Sequence, residues 1–158
     1  MKLSAKIRLG MVAAIAGAVT CFVVPASALT GEFFTLTGTG TISPGLTLTG
    51  GAQTWSFSGN GAIVHHNAIG AISCTWNGDD TIGTTTQGSG NFSGTCNTPC
   101  GPSGVSGSFT RTVDGVAVQG AFTSGCLAPS SFHGECGHAP TSAPAVTSYA
   151  AECYFQFD

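Results

Sequence analysis

Four histidines, two adjacent aspartates and a set of cysteines carry most of the reactive chemistry available to this chain. His133-Gly-Glu135-Cys136-Gly-His138 holds metal-ligand types at workable spacing, with His133 and His138 as the candidate ligands. A Cys136 locked in a disulfide would offer no thiolate to an ion, so solvated loop histidines are the simpler expectation. His65 and His66 are adjacent, and in a strand they point to opposite faces, so at most one of them would serve a given ion. The His-x-Glu triplet lacks the companion Pro-Cys-x-x-Cys of zinc deaminases. Asp79-Asp80 is a carboxylate pair of the kind glycoside hydrolysis needs on either side of a bond, but directly after Asn77-Gly78 it reads more simply as a solvated hairpin tip. No Gly-x-Ser-x-Gly elbow occurs, and no lysine follows Lys6 to serve as nucleophile or phosphate ligand. The expectation is therefore no catalytic residue and no cofactor, with a hydrolase using Asp79 or Asp80 and a histidine as an alternative.

Aromatic residues offer a different chemistry. Trp55, Trp76, Tyr149 and Tyr154, exposed together, would make a flat platform for sugar rings or an apolar ligand. Against this, both tryptophans fall on the alternating parity shared by Phe57 on one run and by Ile72 and Cys74 on the other, which favours the core.

The elements that must position these side chains follow from the chain's layout. Residues 1–28 combine Lys2, Lys6 and Arg8 with an apolar run from Met11 to Val24 and the small-residue end Ala26-Ser27-Ala28, the pattern of a secretory signal peptide cut after Ala28. That run is too short for a stable membrane span, and Thr20 disfavours Cys21 as a lipid-bearing residue. Residues 29–158 then form one domain in which Arg111 is the single cation against seven acids, a formal charge of −6. Nucleic acid and anionic lipid are excluded as partners, because one arginine cannot neutralise a run of phosphates. Six cysteines remain (Cys74, Cys96, Cys100, Cys126, Cys136, Cys153), an even number in an exported chain, which implies three disulfides of undetermined connectivity.

Period-two alternation recurs throughout. Phe34, Leu36 and Ile42 share one face of a first strand that Ser43-Pro44-Gly45 ends; Trp55, Phe57 and Ile63 share a face in the second; Ile72, Cys74 and Trp76 do so in the third. Phe92 precedes Cys96 by four residues and Phe122 precedes Cys126 by four, so each pair shares a side. Asn77-Gly78 and Asp114-Gly115 supply hairpin turns, whereas residues 128–145, with three prolines, read as a long irregular connection before a last strand from Thr147 to Phe157. Arg111 is expected on the outward face, opposite Phe109. The fold class is all-β: a single-domain antiparallel meander of about seven to eight strands, barrel-like or a two-sheet sandwich, with inward glycines favouring the curved barrel.

The segments Thr39-Gly-Thr-Ile-Ser-Pro-Gly-Leu-Thr47, Gly88-Ser-Gly-Asn-Phe-Ser-Gly-Thr-Cys96 and Pro140-Thr-Ser-Ala-Pro-Ala-Val-Thr-Ser-Tyr149 resemble small secreted Gly/Ser/Thr-rich proteins of actinobacteria. The resemblance implies an exported β domain and carries no activity and no functional residues. Together these readings point to a secreted, non-catalytic binding or structural module for an extracellular or cell-wall ligand, with a carrier of a small apolar molecule or sugar as the nearest rival.

Overall fold

The computed structural model describes residues 31–143 and 145–158; the expected leader over 1–28, with Cys21, lies outside them. Among the described residues eight strands follow one another: β1 (Phe33–Leu46), β2 (Gln53–His65), β3 (Ala68–Asp80), β4 (Gly88–Thr98), β5 (Gly101–Arg111), β6 (Val116–Phe122), β7 (Ser130–Pro140) and β8 (Val146–Phe157). Each pairs antiparallel with its sequence neighbour, and β1 pairs with β8, so the sheet closes into an up-and-down barrel. Closure removes every sheet edge, and at eight strands the interior is just wide enough to be filled by side chains or to hold one small ligand.

Large aromatics fill that interior because glycines stand opposite them. Trp55 faces Gly78, Trp76 faces Gly94, Phe92 faces Gly107 and Phe155 faces Gly134 across neighbouring strands. A Cβ on Gly94 would come within 2.8 Å of Trp76 Cδ1, so the missing side chain is the room the indole occupies. The outward faces carry Thr37, Thr39, Ser58, Thr75, Ser93 and Thr95, all exposed. Apolar inside and hydroxyl-bearing outside is the reverse of a membrane barrel.

The disulfides are Cys74–Cys96, Cys100–Cys126 and Cys136–Cys153. The first and third join residues that face each other directly on adjacent strands, with Cα atoms 4.0 Å apart. The second ties the β4–β5 turn to the β6–β7 connection.

Several expectations are corrected. Asn77-Gly78 is no turn: both lie inside β3, where Gly78 gives way to the Trp55 ring, and the chain reverses instead over residues 81–87. There Gly83 adopts a left-handed φ of 57°, and its N–H donates to Asp80 Oδ1. Residues 128–145 are mostly strand, since β7 runs to Pro140 at its very end, where a proline costs little ladder pairing. Ser43-Pro44-Gly45 does not end β1 but marks a register shift against β8 between Thr41 and Leu46.

Candidate functional site

The two ends of the barrel are built differently. At the end holding the β2–β3, β4–β5 and β6–β7 connections, Phe34, Phe122, Phe132 and Phe155 are at most 1 % exposed and stack, tilt or meet edge-on at centroid distances from 4.5 to 5.8 Å. Leu127, also buried, lies in the connection over this plug. Such aromatic pairs each contribute about 0.5–1.5 kcal/mol beyond area burial.

The opposite half holds a cavity of about 90 Å³, walled by Trp55, Phe57, Trp76, Phe92, Phe109 and Val118. Tyr149 closes one side, its hydroxyl donating to Ser56 O at 3.0 Å, and burial pushes its pKa up. Trp55 meets Phe109 edge-on at 5.4 Å and Trp76 stacks on Phe92 at 4.9 Å, so the walls are held by ring contacts.

Polar groups enter at one place. Arg111, expected outside, shares parity with Phe109 two residues earlier and lies inside, 6 % exposed. Asp80, expected at a solvated tip, is equally buried and accepts from Arg111 Nη2 at 2.9 Å. The same Nη2 donates to the carbonyls of Thr84 and Gln87, at 2.8 and 2.9 Å, pinning the β3–β4 connection over this end of the barrel. Asp80 Oδ1 accepts the N–H groups of Ile82, Gly83 and Ser89. Both aspartates of the pair are in β3, so they point to opposite faces: Asp79 is exposed, and the two do not flank one site.

Among the described residues, four buried side-chain polar atoms have no partner: Trp55 Nε1, Trp76 Nε1, Arg111 Nη1 and His138 Nδ1. All four residues line the same cavity. These nitrogens have almost no accessible surface, and the indole edges of Trp55 and Trp76 lie against Gly78 and Gly94 of the neighbouring strands, so the unpaired groups sit within the barrel wall and the cavity surface itself is apolar. Burial, and then the Arg111 charge, hold the His138 pKa below the usual histidine range.

The predicted metal pair is not brought together. His138 lies inside the barrel, while His133 faces out from β7 and contacts Asp158, its Nδ1 at 2.6 Å from the carboxylate. The grouping that does form was missed. Glu32, His65 and His66 place three possible ligand atoms within 4.8 Å of one another, because β2 ends at His65 and the following turn swings the His66 ring to within 4.0 Å of it. Strand alternation, the basis for separating the two rings, stops at that turn. His65 Nδ1 accepts the Asn67 N–H, which leaves the proton on Nε2, 3.3 Å from Glu32 and 3.4 Å from Ser130 Oγ. That arrangement is a hydrogen-bonded clasp on the plugged end. It is not a serine relay, which needs hydroxyl and carboxylate on opposite ring nitrogens.

The proposed aromatic platform divides in the same way. Trp55, Trp76 and Tyr149 line the cavity, whereas Tyr154 faces outward and stacks on Phe33 at 5.9 Å. Parity identified Trp55 and Trp76 as inward; what it could not show is that the packing around them is incomplete. No family model, no curated protein and no solved structure matches this chain.

Proposed function

We propose that this chain is an exported, non-catalytic binding protein that carries a small apolar molecule in the open half of its barrel. The observation that carries the reading is the aromatic-walled cavity beside a fully plugged opposite half. Binding sites in small β-barrels lie at the barrel mouth, and an apolar wall with few polar groups is what a small ligand requires. Three connections at the same end also expose large apolar side chains: Leu48 at 86 %, Ile82 at 40 % and Val113 at 69 %. They give an apolar ligand a path to the mouth. Three disulfides suit an oxidising compartment, consistent with export and with the kind of actinobacterial protein the chain resembles.

A sugar fits the cavity less well than an apolar molecule. Each hydroxyl brings a donor that needs an acceptor, and the Asp80 carboxylate is already taken by three backbone N–H groups and Arg111. The test is solvent extraction of the protein purified from its exporting host, followed by mass spectrometry. A small apolar compound in stoichiometric amount is expected, and Ala151→Phe, which fills the cavity from β8, should release it. Extracts without such a compound, together with no saturable change in tryptophan fluorescence on titration with one-ring hydrocarbons and ketones, would end the carrier reading.

A further inference from the structure

We propose that Glu32, His65 and His66 form a binding site for a divalent transition-metal ion of the zinc class, at the plugged end of the barrel and independent of the carrier reading. Strand register brings the three together. Phe33 pairs with Val64, so Glu32, one residue before β1, comes level with His65 at the end of β2. The β2–β3 reversal, in which His65 pairs with Ala68, folds the His66 ring back beside the His65 ring. Each part is held in place. The Glu32 carbonyl accepts the Phe157 N–H at 3.1 Å, its Oε1 accepts the His66 N–H, and the buried His65 ring packs on Phe157 at a centroid distance of 4.4 Å. Ligands whose positions are fixed by packing and hydrogen bonds are what a metal site requires.

With Oε1 engaged by the His66 backbone, Oε2 is the Glu32 oxygen left for an ion, and it lies 3.3 Å from His65 Nε2 and 3.4 Å from His66 Nδ1. Ligands about 2.0–2.1 Å from a tetrahedral zinc ion are about 3.3–3.4 Å from one another, so two edges of the tetrahedron already stand. The third edge joins the two rings. All three ligand atoms lie within 4.8 Å of one another, and His66, 65 % exposed, has room to turn the remaining distance. Without an ion, ring N–H groups make these contacts; binding moves those protons to His65 Nδ1 and His66 Nε2. The first move gives up the Asn67 contact, which at 3.4 Å is long for a hydrogen bond, and the second places an N–H in water. Ligand type then selects the ion. Two imidazole nitrogens and one carboxylate suit zinc and its neighbours, whereas calcium and magnesium require shells of oxygen. Three protein ligands leave a fourth position for water, which the exposed His66 side admits.

Calorimetric titration at pH 7 tests the site on untagged protein purified from its exporting host and stripped with a chelator. One zinc ion per chain should bind with a Kd below about 10 μM, and calcium and magnesium should give no saturable heat at the same concentrations. Glu32→Gln, His65→Gln and His66→Gln should each weaken zinc at least tenfold. His133→Gln, in the separate pair with Asp158, should leave it within twofold. Zinc at about a hundredfold above its Kd should also raise Tm by at least about 5 °C. His66→Gln alters an exposed turn residue and keeps the test available if the buried His65 variant fails to fold. A weaker Kd for the unaltered protein, or zinc binding that survives His66→Gln and falls with His133→Gln, would overturn the assignment and leave the carrier reading untouched at the other end of the barrel.

Discussion

Replacing Asp80 by alanine should be among the most damaging single changes in this barrel, and the structure says why it should exceed the loss of its partner. Both side chains are more than nine-tenths buried, so removing the carboxylate strands a guanidinium inside the barrel. Breaking a buried pair this way costs about 3–5 kcal/mol. Arg111→Met also strands a charge, but Asp80 keeps the N–H groups of Ile82, Gly83 and Ser89 on its Oδ1, and hydrogen bonds to a charged group contribute about 1.5–3 kcal/mol each. Its cost should therefore be lower, on the order of 2 kcal/mol. The double variant leaves no unpaired charge and should fall well short of the sum of the two, a coupling of about 2 kcal/mol or more. At roughly 3–5 °C per kcal/mol for a domain of this size, Asp80→Ala should lower Tm by about 10–20 °C. The assay is denaturant and thermal unfolding at pH 7 with disulfides intact, followed through tryptophan fluorescence. Additive single losses, or an Arg111 variant less stable than the Asp80 variant, would refute the buried-pair argument.

Three further outcomes are expected. Non-reducing peptide mapping should recover Cys74–Cys96, Cys100–Cys126 and Cys136–Cys153, and opening the last by Cys136→Ala with Cys153→Ala should cost about 3 kcal/mol from the loop it closes; any other pairing would contradict the strand register. Gly94→Ala should destabilise by about 1–3 kcal/mol, because the new methyl meets the Thr75 carbonyl oxygen of the paired strand as well as the Trp76 ring, and an unchanged unfolding midpoint would show that strand and indole both have room to move. Stability should fall as pH drops from 7. Burial lowers the His65 and His138 pKa values, so below the ordinary value of about 6.5 the unfolded chain binds more protons than the folded one, and stability rises with pH across that window. The Asp158 pKa is also depressed, by hydrogen bonds from Ser131 and His133, and its contribution is lost further down, below the ordinary carboxylate range. His138→Gln should flatten part of the slope between pH 6.5 and 5; a Tm that stays level there in the unaltered protein would exclude the histidine contribution.

Much of this organisation is written in local pattern. Phe34 and Leu36 sit on the parity that the barrel buries, as do Phe57, Ile72 and Phe92, because a strand with one wet face must alternate whatever its partners are. The all-β class, a chain-order meander and the involvement of all six cysteines in bridges follow from the same local signals together with the even cysteine count.

Partnership across the barrel is not local, and that is where tertiary structure decided. Gly78 carries the signature of a turn residue, yet its role is to make room for Trp55 from another strand, which only the β2–β3 register reveals. Arg111 and Asp80 are 31 residues apart, and each alone looks like a solvated surface charge; closure of the sheet turns both inward, where each makes the burial of the other tolerable. His65 and His66 obey strand alternation only until the strand stops. The cavity belongs to the same class of feature. It is a volume left over when eight strands close around side chains of unequal size, and a leftover volume depends on every wall at once, so no segment of the chain specifies it.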